Sequence, residues 1–145
     1  EASYLDDPSS CPAPSTYCAV SPNSFGLGAV IQGAGSQNVS DNNFSLSVSG
    51  AVPGQFGLFY YGAATAAVPT GAGVRCVGAP LFRLLPPVSI DPLGGAQVAL
   101  DFPNLPLGGG IQNGETWYFS FWFRDPGFGG STFNFANGLE VQFCP

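Results

Sequence analysis

The segment 116-TWYFSFWFRDP-126 places six aromatic side chains in its first eight positions. A β-strand turns alternate residues to opposite faces. Trp117, Phe119, Phe121 and Phe123 therefore share one face, and Tyr118, Ser120, Trp122 and Arg124 share the other. Asn113-Gly114 before the run and Asp125-Pro126 after it read as turns. The Trp117 face reads as core. The Tyr118/Trp122/Arg124 face is either a covered inner layer or a contact with another molecule, a glycan or a partner protein.

The same period-2 reading extends outward. FSLSVSG (44–50) turns Phe44, Leu46 and Val48 inward and its serines outward, and QVALDF (97–102) turns Val98, Leu100 and Phe102 to one side. FGLFYYG (56–62) is aromatic on both faces. GAVIQ (28–32), GVRCV (73–77) and LFRLL (81–85) add strands, and SQNVS (36–40) a weaker one. TFNF (132–135) and LEVQF (139–143) flank Ala136-Asn137-Gly138, and Asn-Gly between apolar runs predicts a hairpin. No segment holds a helical period, and the 21 glycines and 14 prolines suit turns between short strands. Eight to ten short strands predict an all-β fold, a single-domain antiparallel β-sandwich or jelly-roll-like barrel over 11–145. Residues 1–10 read as an extended N-terminal arm whose apolar positions are Tyr4 and Leu5.

At 145 residues the chain fits one domain. Charged residues make up only 8%, against a usual ~25%. The net charge is −6, there is no Lys, and the only cations are Arg75, Arg83 and Arg124. Nucleic acid and anionic membrane surfaces both require clustered cations, so neither is expected as a partner. No apolar run reaches the ~18–20 residues that a membrane-spanning helix needs, so membrane insertion is not expected. The chain starts at Glu1 without an initiator Met. That start reads as secretion followed by processing, or as the trimming of an excised domain.

Cys11, Cys18, Cys76 and Cys144 form an even set without metal spacing, and no His could complete a zinc site. Disulfides are expected, and with them an oxidising, extracellular setting. Three connectivities are open. The expected one ties the termini through Cys11–Cys144 and leaves Cys18–Cys76 as the second bond. A terminus-to-terminus bridge would contribute about 4–5 kcal/mol on chain-entropy grounds.

Several phrases together carry a resemblance: YCAVSPNSFGLGAVI (17–31), GSQNVSDNNFSLSVSG (35–50), GQFGLFYYG (54–62), GVRCVGAPLFRL (73–84), GETWYFSFWFRDP (114–126) and FNFANGLEVQF (133–143). As a set they resemble an uncharacterised secreted all-β domain that recurs in planctomycete-type and myxobacteria-like surface proteins. The resemblance implies an extracellular all-β domain, often appended to larger secreted proteins, with no activity attached to it. This chain departs from the pattern through Cys11 and Cys144, which suit a durable, free-standing subunit.

Without His, no Ser-His-Asp or Cys-His arrangement can form, and without Lys no Ser-Lys pair. Among the nine carboxylates, Asp7, Asp91 and Asp125 each precede Pro, which is turn chemistry. The protein is therefore not expected to be an enzyme. Asp6-Asp7 and Asp41-Asn42-Asn43 are the densest oxygen clusters but lack calcium-loop spacing, and GLGAVI (26–31) and GAGVRC (71–76) lack the features of phosphate loops. No metal or cofactor is expected. Three arginines are too few for a basic patch, and Arg124 beside Trp122 and Tyr118 is the candidate for a partner- or sugar-facing clamp. The sequons at Asn38 and Asn43 are expected to stay bare in a bacterial protein.

The functional expectation is a non-enzymatic, secreted bacterial structural protein of the cell surface, self-assembling into an extracellular filament or layer through its arm. The alternative is a carbohydrate-binding or adhesive surface module. Its partners would be copies of itself, or a polysaccharide.

Overall fold

The computed structural model describes residues 11–127 and 132–145. The arm expected over 1–10, with Tyr4 and Leu5, lies outside the described residues. Twelve strands run through these residues: β1 (Ser15–Tyr17), β2 (Val30–Gly35), β3 (Phe44–Ser49), β4 (Phe56–Gly62), β5 (Ala64–Thr70), β6 (Gly73–Gly78), β7 (Phe82–Arg83), β8 (Val88–Ser89), β9 (Ala96–Ala99), β10 (Thr116–Arg124), β11 (Phe133–Phe135) and β12 (Gly138–Gln142). A seven-stranded sheet has the order β1-β12-β10-β4-β7, with β11 on β10 and β8 on β4. A three-stranded sheet has the order β2-β3-β9, and β5-β6 form a separate hairpin. Every pairing is antiparallel. The all-β sandwich is as expected; the strands that the sequence reading did not name are β1, β5 and the two-residue β8.

β10 is the central strand. It pairs with β4 from Tyr118↔Gly62 to Phe123↔Gly57 and with β12 from Thr116↔Gln142 to Phe119↔Leu139. Its Trp117, Phe119, Phe121 and Phe123 are buried in the main core with Phe59, Tyr61, Leu139, Val141 and Phe143. The three-stranded sheet answers with Ile31 of β2 and with Phe44, Leu46 and Val48, the inward positions that alternation assigns to β3. Burying each such side chain contributes about 1.5–3 kcal/mol. A Cβ at Gly57 would collide with the Phe121 ring, so this neighbour of Phe123 must be glycine for the ring to lie flat on β4.

Three local expectations are corrected. SQNVS is not a strand. Asn38 accepts a hydrogen bond from the Ser40 backbone N–H at 3.0 Å, a 3₁₀ turn follows over Val39–Asp41, and Asn42 closes it in the left-handed region. Asn and Asp side chains that bond nearby backbone outcompete the sheet ladder here. LFRLL contracts to the two residues of β7. The third correction is the predicted hairpin at Asn137-Gly138.

β11 and β12 do not pair with each other; both lie along the same edge of β10. The register places Phe135 opposite Trp122 and Leu139 opposite Phe119, so Ala136, Asn137 and Gly138 face only Ser120 and Phe121. That is one extra residue on one strand, a β-bulge. The Ser120 hydroxyl lies 3.1 Å from the Ala136 carbonyl and 2.9 Å from that of Asn137, serving the carbonyls that the bulge takes out of the ladder. Asn137 is turned inward instead of outward. Its Oδ1 accepts the Ile31 N–H at 3.0 Å, and its own N–H donates to the Ala29 carbonyl at 3.3 Å. The bulge thereby joins the large sheet to the edge of the small one.

Candidate functional site

The second face of β10 is covered by a third layer. The β5-β6 hairpin lies over it, and Val77, Tyr60 and Phe135 form a small separate core with Tyr118, Trp122 and Phe133 packed around it. Cys18–Cys76 fastens this layer, and the Tyr17 hydroxyl donates to the Cys76 carbonyl at 2.6 Å. Cys11–Cys144 is the second bond, so both pairings match the expectation. Two disulfides point to an oxidising environment. Among the described residues, no helix is long and apolar enough to cross a membrane.

The cover is incomplete. Where the hairpin ends, a cleft of about 350 Å³ opens between Trp122, Leu58, Tyr60 and Phe135 on the sheet and Arg75, Leu81 and Arg83 beside them. Trp122 is half-buried there, its ring 6.0 Å from that of Phe133. Arg75 is held in place by donating from Nη1 to the Val77 carbonyl at 2.6 Å, whereas Arg83 is exposed. Among the described residues, no carboxylate lines the cleft. Phe56 stands two residues before Leu58 on β4 and is 58% exposed, so the apolar strip continues past the cleft.

Tyr60 forms the cleft floor and is only 4% exposed. Its hydroxyl is buried without a hydrogen-bond partner among the described residues. Burial pushes its pKa up to about 12, with Ser120 and the Arg75 charge acting in the opposite direction. The phenol is neutral at any physiological pH.

The residues singled out on this face separate. Trp122 lines the cleft. Tyr118 turns its ring edge-on to Tyr17, with centroids 5.8 Å apart, and belongs to the covered layer. Arg124 is exposed at the strand end and does not line the cleft. Sequence reasoning passed over Arg75 and Arg83 as too sparse for a patch, yet the pairing of β7 with β4 and the stacking of β6 over it bring both to one opening.

The two ends of the sandwich are unlike. At one end, Cys11–Cys144 lies beside the start of β10: the Cys144 N–H donates to the Gln37 carbonyl at 2.9 Å, and Gln37 Nε2 donates to the Pro12 carbonyl at 2.6 Å. β1 runs antiparallel to β12 (Ser15↔Glu140, Tyr17↔Gly138), so tracing the chain back from Tyr17 leads to Cys11 at this end. At the opposite end, β10 finishes beside the Asn23–Gly26 turn, where Asp125 accepts from the Ser24 N–H at 3.0 Å and from its hydroxyl at 2.5 Å. Asn23 Nδ2 donates to the Gly50 carbonyl and the Ala51 N–H to the Gly94 carbonyl, which gathers the loops there. That end exposes Leu27 (91%), Leu93 (86%) and Phe25 (49%).

No family model, curated protein or solved structure matches this chain.

Proposed function

We propose that this protein is a non-enzymatic, secreted subunit that joins copies of itself head to tail into an extracellular filament or surface layer of a bacterial cell. The observation that carries the reading is the polarity of the domain. Cys11, the residue that follows the segment holding Tyr4 and Leu5 in the sequence, is fixed by its disulfide at one end, and the other end presents Leu27, Leu93 and Phe25 to solvent. Two different surfaces at opposite ends make a heterologous contact, and repeated heterologous contacts that do not close propagate as open assemblies. The disulfides and the phrases shared with a secreted surface domain support the extracellular placement. Leu27→Asp/Leu93→Asp tests the exposed end by sedimentation velocity. The wild-type chain is expected to sediment as larger species with rising concentration and the variant as a monomer; equal behaviour of the two would count against the polarity.

The second reading, a carbohydrate-binding or adhesive module, is favoured by one feature. A half-buried Trp122 at an open cleft beside Arg83 is a surface on which a sugar ring can stack and be hydrogen-bonded. Glycan-array binding that disappears in Trp122→Ala, with the fold retained, would support it over assembly.

A further inference from the structure

We infer that the Trp122–Arg75–Arg83 cleft is the seat for residues 1–8 of a neighbouring copy, with Tyr4 and Leu5 against Trp122, Leu58 and Leu81 and with Asp6 and Asp7 paired to the two arginines. This rests on the head-to-tail reading and adds the landing site. Charge complementarity is the first argument. A chain of net charge −6 places two of its three cations at one opening that no carboxylate lines among the described residues, and the segment before Cys11 carries Glu1, Asp6 and Asp7 around two apolar residues. Arginine forks suit carboxylate partners, and an apolar floor suits Tyr and Leu.

Reach and direction are the second argument. Asp7 to Tyr4 lie four to seven residues before Cys11 and so reach at most roughly 13–25 Å from it when extended. The described chain begins at Cys11, at the end of the sandwich where β10 starts. The cleft is in the far half of the outer face, since Trp122 is six residues along β10 from Thr116, the residue at the Cys11 end, or roughly 20 Å. An arm leaving one copy at the Cys11 end thus enters the far half of the next copy's outer face when the two stack end to end. The exposed Phe56 extends the apolar strip toward that incoming arm. Peptide segments commonly dock by laying alternate side chains into such grooves.

The test is charge exchange in the full chain, read by sedimentation velocity. Arg83→Glu alters an exposed side chain and spares the backbone contact of Arg75; Asp6→Arg/Asp7→Arg alters the arm. Each variant alone is expected to weaken self-association by about tenfold or more, and an equimolar mixture to restore mixed assemblies, because the exchanged charges are complementary again. Trp122→Ala, with its fold checked by circular dichroism, is expected to weaken association without rescue by either charge variant. Assembly lost on arm reversal but indifferent to Arg83→Glu and Trp122→Ala would overturn the landing site and leave head-to-tail assembly standing. A wild-type chain that stays monomeric would overturn both. Binding of a tetragalacturonate that is lost in Arg83→Glu while assembly is unchanged would make the cleft an acidic-glycan site and overturn the inference.

Discussion

Asn137→Ala is the sharpest probe of how the two sheets are held together. Asn137 is 5% exposed and Ile31 fully buried, and the bond from the Ile31 N–H to Asn137 Oδ1 is 3.0 Å long. Ile31 is on the edge of the small sheet, with β3 on its other side, so no strand can take over this donor. Truncation removes the acceptor and strands a buried N–H, which costs about 1–3 kcal/mol. The backbone bond from the Asn137 N–H to the Ala29 carbonyl survives, so the loss stays within that range. At this chain length a 2 kcal/mol loss lowers Tm by about 4–8 °C. Urea unfolding with both disulfides intact measures the difference, and amide exchange reports it locally as faster exchange at Ile31. Gln142→Ala, an exposed side chain on the same strand, is the control and is expected to stay within about 0.5 kcal/mol of wild type. A change below 0.5 kcal/mol in Asn137→Ala, or equal losses in the two variants, would refute the assignment of Asn137 as the joint between the sheets.

The disulfides and the tyrosines give two further expectations. Cys18 and Cys76 are separated by 58 residues and Cys11 and Cys144 by 133, so removing either pair by Ser costs about 4 and about 5 kcal/mol on chain-entropy grounds. Cys18→Ser/Cys76→Ser is further expected to red-shift tryptophan fluorescence, as the hairpin layer loosens over Trp122; four thiols alkylated in the native protein would contradict the pairing outright. Burial raises Tyr17 and lifts Tyr60 and Tyr61 to about 12, against an ordinary 10, so the folded state holds these protons more tightly than the unfolded one. Their contribution is complete below pH 10 and is lost as pH rises from about 10 toward 12. Urea midpoints at pH 8, 10 and 11.5 check this, and a midpoint that rises across the window would oppose it.

Much of the fold was legible because local alternation and tertiary burial agree. In β10 and β3 every second residue is large and apolar, and those residues are the ones the core takes. β5 escaped because ATAAVPT is small, exposed and contains Pro69; a two-stranded hairpin tolerates a proline that a central strand would not. Asn137-Gly138 carries the residues of a hairpin turn, but its asparagine has an acceptor to offer the small sheet, and Ser120 stands opposite to serve the exposed carbonyls. That partnership is written 17 residues away and cannot be seen at the turn itself. The cleft divides in the same way. Trp122 is visible as surplus aromatic surface on β10, whereas Arg75 and Arg83 join it only through the pairing of β4 with β7 and the folding-over of β6.

The central claim, that this domain assembles with its own copies through its arm, is tested most directly by negative-stain microscopy of the wild-type chain beside a variant lacking residues 1–8, at matched concentration and with both disulfides intact. Extended assemblies of the wild type and single particles of the variant are the predicted result. Assemblies of equal length in both would contradict it.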